Sequence, residues 1–208
     1  VNDGTIDSDA ATVTINITAV NDVPTATAQT VDATEDEAKT ITLAGTDADG
    51  DTITYIIASL PSEGTLTDNG TAIASDDLPK TTSGTDVVYT AISETATSDS
   101  FTFKVNDGTV DSEAATVSIA ISAVNDVPVA TAQTVTATEQ TEKTITLAGT
   151  DAEGDNLTYS IVDQPSNGNV TLDGNTATYT STSDSATSDS FTFKVNDGNS
   201  DSDAATVT

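Results

Sequence analysis

Carboxylates dominate the chemistry available to this chain, and they recur in matched sets. Asp47-Ala48-Asp49-Gly50-Asp51 returns as Asp151-Ala152-Glu153-Gly154-Asp155. Asn21-Asp22-Val23-Pro24 returns as Asn125-Asp126-Val127-Pro128, and an Asn-Asp-Gly triplet places Asp3, Asp107 and Asp197 at equivalent points. Glu35 pairs with Glu139, and Glu94 with Asp99 matches Asp184 with Asp189. Oxygen donors at this density suit a hard cation, and calcium takes six to eight of them. One five-residue cluster cannot fill such a shell, so ligands must converge from several loops. A domain end beside a short linker lets them do so. The spacing is wrong for the twelve-residue EF-hand loop, and the glycine-rich nonapeptide of calcium-binding β-helices is absent. Plainer readings stand beside this one: a solvated acidic surface, Asn-Asp-Gly as a turn formula, and Asp22 as a linker residue only.

Composition removes several function classes. Five Lys and no Arg face 34 Asp and Glu in 208 residues, a formal charge of −29. Affinity for phosphate comes mainly from basic side chains, so nucleic acid and anionic membrane surfaces are repelled. Self-repulsion of this size opposes a compact state unless it is neutralised, which again favours bound cations. With no Cys there is no disulfide framework or thiolate, and with no His the usual general base is missing. A catalytic carboxylate pair would look no different from a ligand pair, and near-duplicate copies suit a repeated spacer better than an enzyme. No apolar run is long enough to span a membrane as a helix.

The elements that must position these side chains are strands. Ile41 and Leu43 alternate with Thr40 and Thr42; Ile53, Tyr55 and Ile57 share a face. Phe101, Phe103 and Val105 point one way while Thr102 and Lys104 point the other, and Val117, Ile119 and Ile121 alternate with Ser118, Ala120 and Ser122. Such period-two patterning marks half-buried antiparallel strands. Asn106-Asp107-Gly108 between two of these runs is a hairpin signal. About seven short strands per hundred residues indicate an all-β sandwich.

The same elements repeat. Lys39 recurs at Lys143, 104 residues on, whereas Gly108 recurs at Gly198, 90 residues on, so copy one carries 14 extra residues between Leu66 and Val88. Whole-domain repeats of this length form an array rather than a solenoid. The expected organisation is the last two strands of a preceding repeat in residues 1–20, a complete repeat in 25–124, and a repeat in 129–208 that lacks most of its final strand. A sandwich without that strand exposes an open edge. The expectation is therefore a window from a longer array, or a neighbouring chain that supplies the strand.

The string Thr46-Asp47-Ala48-Asp49-Gly50-Asp51, the Val-Asn-Asp-Gly hairpin and the Ala-Val-Asn-Asp-Val-Pro linker resemble the cadherin repeat, and more closely the cadherin-like and immunoglobulin-like repeats of large bacterial surface proteins. The resemblance covers nearly the whole chain. It implies tandem seven-stranded Greek-key β-sandwiches in a rod, with Ca2+ at each junction between repeats. For the first junction it implies Asn21 and Asp22 from the linker with Asp47, Asp49, Asp51 and Asp107 from the following domain. For the second it implies Glu35 with Glu94 or Asp99 from the preceding domain, Asn125 and Asp126 from the linker, and Asp151, Glu153, Asp155 and Asp197 beyond; Glu139 matches Glu35 one repeat on. Ala19 and Ala123 depart from the family by standing where cadherins carry the linker's first Asp. The implied function is a calcium-stiffened spacer of a secreted or cell-surface adhesin. Its partners would be adjacent repeats and neighbouring copies in a filament, by strand complementation or lateral packing. The alternative is a glycan- or protein-binding module that uses the 67–87 insertion.

Overall fold

The computed structural model describes residues 1–208. Strand-forming residues alternate through both repeats, and each repeat folds into two packed sheets. In the first repeat the strands are β1 (Thr25–Ala26), β2 (Gln29–Thr34), β3 (Ala38–Thr42), β4 (Gly45–Thr46), β5 (Thr54–Ser59) and β6 (Gly64–Asp68). They continue as β7 (Thr71–Ala72), β8 (Lys80–Thr81), β9 (Asp86–Ala91), β10 (Ser98–Asn106) and β11 (Ala115–Ser122). One sheet has the order β2-β11-β10-β5-β8, the other β3-β9-β6-β7, and β1 pairs with β4. The last long strand, β11, lies parallel to β2 and antiparallel to β10, so it closes its sheet between the second strand and the tenth.

The alternation read from the sequence sets the core. Ile41, Leu43, Ile57, Phe101, Phe103, Val105, Val117, Ile119 and Ile121 are buried among 16 core residues, while Ser118, Ala120 and Ser122 face solvent. Gly64 sits where a Cβ would lie 2.3 Å from the Tyr89 ring, so only glycine lets β6 cross the buried tyrosine. Gly108 takes a φ of +98° in the hairpin turn, a conformation that costs glycine nothing.

The 14 extra residues fold onto the sheets. They supply the short strands β7 and β8, a 3-10 turn at Ser75–Asp77, and Ile73, which is 6% exposed. Leu78 packs on the same core, and buried Asp68 accepts bonds from the Ser83 amide and hydroxyl at 2.9 and 2.6 Å. The insertion thus lengthens both sheet edges, and residues 67–87 contain no aromatic side chain.

The second repeat has β12 (Val129–Thr131), β13 (Lys143–Thr146), β14 (Ala148–Thr150), β15 (Thr158–Asp163), β16 (Gly168–Asp173), β17 (Thr176–Ser181), β18 (Phe191–Asn196) and β19 (Ala205–Val207). Its sheets are β13-β17-β16 and β15-β18-β19, with β12 paired to β14, around a core of nine buried residues. Where β10 begins at Ser98, its counterpart β18 begins three residues later in equivalent numbering, at Phe191. The cause is the partner strand. In the first sandwich Ser98, Asp99 and Ser100 pair with Ala120, Ile119 and Ser118, but β19 ends at Val207 and offers nothing opposite residues 188–190. Of the β2 equivalent, only Gln133 is bridged to Val207.

Residues 1–20 form the hairpin turn, with an Asn2 to Asp7 bridge and the Ser8 amide donating to the Val1 carbonyl at 2.7 Å. They form no strand, and Val13, Ile15, Ile17 and Val20 are 79–89% exposed. The turn is local chemistry, whereas a strand needs a sheet beside it.

Candidate metal centre at the repeat junctions

The second junction draws on both sandwiches. Glu35, in the turn after β2, is 2% exposed, and its Oε2 accepts the Val124 amide at 3.0 Å. Glu94 lies in the loop before β10, and Glu153 in the loop between β14 and β15 of the next repeat. Carboxylate oxygens of Glu35, Glu94 and Glu153 all lie within 4.8 Å of one another. The linker threads between them. The Asp126 amide donates to Glu153 Oε1 at 3.1 Å, and Asn125 Nδ2 donates to Asp197 Oδ2 at 3.0 Å and to the Asp126 carbonyl at 2.7 Å. Asp151 Oδ1 accepts the Asp155 amide at 2.8 Å, which closes the loop on itself.

Glu35 Oε1, Glu94 Oε2, Asp151 Oδ2 and Glu153 Oε2 are buried without any hydrogen-bond partner. An unpaired buried polar atom costs about 1–3 kcal/mol, and more when charged. Two like charges about 4 Å apart repel by roughly 4 kcal/mol at an effective dielectric of 20. Burial, followed by the charges of Glu35, Asp126 and Asp36, accordingly pushes the Glu94 carboxyl above its ordinary range. Four orphaned carboxylate oxygens beside a linker fit a hard divalent cation, which would supply both the missing partner and the missing charge.

The first junction repeats half of this. Asp47, Asp49 and Asp51 bring carboxylate oxygens within 4.8 Å of one another, and Asp47 Oδ2 is again buried and unpartnered. Asp47 Oδ1 accepts the Asp49 and Asp51 amides, both at 3.0 Å, which folds the loop around its own acidic residues. The Asp22 amide donates to Asp49 Oδ2 at 2.7 Å, and Asn21 Nδ2 donates to Asp107 Oδ2 at 2.9 Å. Asp107 serves turn and linker together: its Oδ1 takes the Thr109 amide and hydroxyl and the Val110 amide. The bond from Asn21, then those from Thr109 and Val110, hold its carboxyl well below the usual carboxylate range. Asp197 is lowered likewise, by the Ser200 amide first and then by Asn125.

Three expected residues stand apart. Asp99 and Glu94 were interchangeable candidates in the sequence, and the geometry separates them. Asp99 is not in the junction cluster: it accepts the Ser62, Glu63 and Ser100 amides at 2.8–3.0 Å and the Tyr89 hydroxyl at 3.0 Å. Asp189 repeats this with Ser166, Asn167, Ser190 and Tyr179. This tyrosine-to-aspartate tie was missed in the sequence, although its ten-residue spacing recurs in both copies. Glu139 is exposed in the turn of the second sandwich that matches the Glu35 turn of the first. Asp155 is exposed too, and contributes its amide rather than its carboxylate to the loop.

Comparison with known proteins gives the family and the fold. The bacterial Ig domain family matches residues 21–120 and again 125–208. Integrin beta-like protein A of Dictyostelium discoideum is 31% identical over 222 residues, covering 89% of this chain but 11% of that protein. Among solved structures, mouse cadherin-23 repeats EC22-24 superpose with a TM-score of 0.52 at 20% identity, over 90% of this chain and 66% of that one. An endo-fucoidan hydrolase of glycoside hydrolase family 107 aligns at a TM-score of 0.40 and 21% identity, over 89% of this chain and 28% of that one. No helix is long and apolar enough to cross a membrane. With two consecutive matches across nearly its whole length, the chain belongs to the bacterial Ig domain family.

Proposed function

We propose that this chain is a spacer segment of a secreted or cell-surface adhesin, and that calcium stiffens the junctions between its repeats. One observation carries the reading: Glu35 and Glu94 of one sandwich and Glu153 of the next converge with orphaned, buried oxygens. Glu35, Glu94, Asn125, Asp126, Asp151, Glu153 and Asp197 would hold the cation at the second junction. Asn21, Asp22, Asp47, Asp49, Asp51 and Asp107 would serve the first. The bound ion would cancel local carboxylate repulsion and tie both domains to the linker, which turns a hinge into a strut. Function then follows from reach, because a stiff array carries a binding tip away from its anchor. The near-identity of the copies supports repetition of a mechanical unit rather than catalysis.

Extracellular calcium modules bind with dissociation constants of about 10⁻⁴–10⁻³ M. At a free concentration a hundredfold above that constant, each site would stabilise the bound form by about 2.7 kcal/mol. The test pairs a thermal melt with small-angle scattering, in millimolar calcium and in chelator. Calcium is expected to raise the melting temperature and the maximum dimension together. Unchanged values in both would end the proposal.

A further inference from the structure

One long sheet edge is covered in the first sandwich and bare in the second. Gly70 matches Gly174, and Thr85 matches Asn175, since their carbonyls accept the Leu43 and Leu147 amides at 2.8 Å. The 14 extra residues are therefore 71–84, and they lay β8 beside β5 and β7 beside β6. Thr81 and Lys80 stand opposite Ile56 and Ile57, and the Thr82 amide donates to the Tyr55 carbonyl at 2.9 Å. Ile73 and Leu78 of the same segment pack on the core between the sheets.

In the second sandwich β15 is the outer strand of β15-β18-β19, and nothing pairs with it on the side away from β18. The Tyr159 carbonyl, counterpart of Tyr55, has no counterpart of Thr82 to accept from. A cleft of about 640 Å³ opens between the sheets at this edge, with Leu157, Tyr159, Leu172, Gly174 and Asn175 in its walls. Leu172 stands where the first sandwich has Asp68, which ties the extra segment down through Ser83. Val162 on β15 is 47% exposed, where β5 has Ala58. A bare edge offers a row of unpaired N–H and C=O groups that an added strand satisfies. We propose that β15 and this cleft take an extended, positively charged segment of a partner polypeptide, which pairs with β15 as β8 pairs with β5.

The first sandwich supplies the register. One residue of the partner stands opposite Ile161 as Lys80 stands opposite Ile57, and the amide two residues on bonds the Tyr159 carbonyl as Thr82 bonds Tyr55. An aliphatic side chain fills the cleft as Leu78 and Ile73 fill the matching space. The sign of the charge follows from the rim. Asp155 lines the cleft, Asp163 and Asp173 end the strands beside it, and all three are exposed. Lys194, opposite Ser160, is already engaged by Asp201. An acidic segment is repelled by this rim and by the net charge of −29, and a basic one is drawn to it. Apart from Asp155 the site shares no residue with the junction clusters, and it does not rest on the calcium reading.

The experiment is fluorescence anisotropy of a labelled peptide titrated with the 208-residue chain, in chelator so that no junction cation takes part. The probe is Thr-Ala-Ile-Ala-Ser-Lys-Lys-Leu-Pro-Lys-Thr-Thr-Ser-Gly, which is residues 71–84 with both aspartates replaced by lysine. The expected result is saturable binding that slows amide exchange in β15 and leaves β5 unchanged. A probe of equal charge, with serine in place of its isoleucine and leucine, should bind at least about tenfold more weakly, because two apolar anchors are lost. Val162→Lys, at an exposed position, should weaken binding likewise with an unchanged melt. A chain with residues 71–84 copied in after Gly174, and Leu172→Asp to tie them, covers its own edge and should not bind. Failure of the probe to saturate would overturn the proposal. So would equal binding of the serine probe, which marks charge attraction alone, or undiminished binding by the Val162→Lys chain. Maltotetraose protecting β15 where the peptide does not would overturn it in favour of a sugar site.

Discussion

The far ends of the two sandwiches carry the same acidic positions in different states. Glu35 is 2% exposed and faces Glu94, the linker and Glu153, while Glu139 is exposed in the matching turn. Asp184, the counterpart of Glu94, accepts a bond from Gln140 at 2.6 Å in the open loop. The residue types barely differ between the copies. What differs is the loop opposite: Glu153 of the second sandwich stands against Glu35 and Glu94, while within residues 1–208 no acidic loop stands against Glu139 and Asp184. An acidic residue here becomes a candidate ligand through its neighbour in the array, not through its own sequence.

The copies also differ in how much core supports those ends, and truncation in the two cores should expose that most strongly. Phe103 and Phe193 are both fully buried, and Phe→Ala costs about 3–5 kcal/mol. With 16 buried core residues against nine, the first sandwich should survive Phe103→Ala at moderate temperature, whereas Phe193→Ala should leave the second unfolded. Separate amide-exchange protection of the two sandwiches reads this out; equal loss of protection would break the comparison. Ile73→Ala, at about 2–5 kcal/mol, should destabilise the first sandwich alone, because the second has no insertion.

At the junction the sign of the effect should depend on calcium. Glu35→Gln removes one charge from the crowded cluster, so in chelator the variant should melt at or above the unmodified chain. In calcium it should melt lower and bind at least about tenfold more weakly, which corresponds to about 1.4 kcal/mol. Glu139→Gln should change neither melt. Calorimetric titration of the two variants side by side checks the contrast, and equal effects would remove the distinction between the ends.

The smallest expected difference lies in the tie between Tyr179 and Asp189, whose hydrogen bonds recur between Tyr89 and Asp99. Burial raises the Asp189 carboxyl, but the bonds from Tyr179, Ser190, Asn167 and Ser166 outweigh it and leave it below its ordinary value. A depressed carboxyl contributes stability that is present above its unfolded value near 3.9 and lost as pH falls through the folded one. Burial and then Asp189 raise the Tyr179 phenol, so its contribution is present below about 10 and lost as pH rises through the folded value. The contribution should thus hold between about pH 4 and 10. Asp189→Asn should flatten the acid limb of a melting-temperature profile without altering calcium binding. Asp99→Asn should leave calcium binding equally unaffected.

The fold was legible because its signals are local and periodic. Alternation at Phe101, Phe103 and Val105 names the buried face, and Asn106-Asp107-Gly108 names the turn. The junction was legible as a set, since the linker and the acidic loop repeat together. The choice between Glu94 and Asp99 was not. It depends on the register of β10, which aims Asp99 at the Ser62 and Glu63 amides and leaves Glu94 in the loop ahead of the strand. Nor does the 67–87 sequence announce that Ile73 reaches the core, because that contact closes only when β7 and β8 extend the sheets. Residues 1–20 alternate as well as any strand in the chain, yet alternation specifies a face and not a partner.

The central claim is that carboxylates of two consecutive sandwiches share a cation, and diffraction from crystals grown in calcium tests it most directly. An ion is expected at the second junction, about 2.3–2.6 Å from oxygens of Glu35, Glu94 and Glu153. Saturating calcium with no ion there, or an Asp151 loop turned away from Asn125, would contradict it.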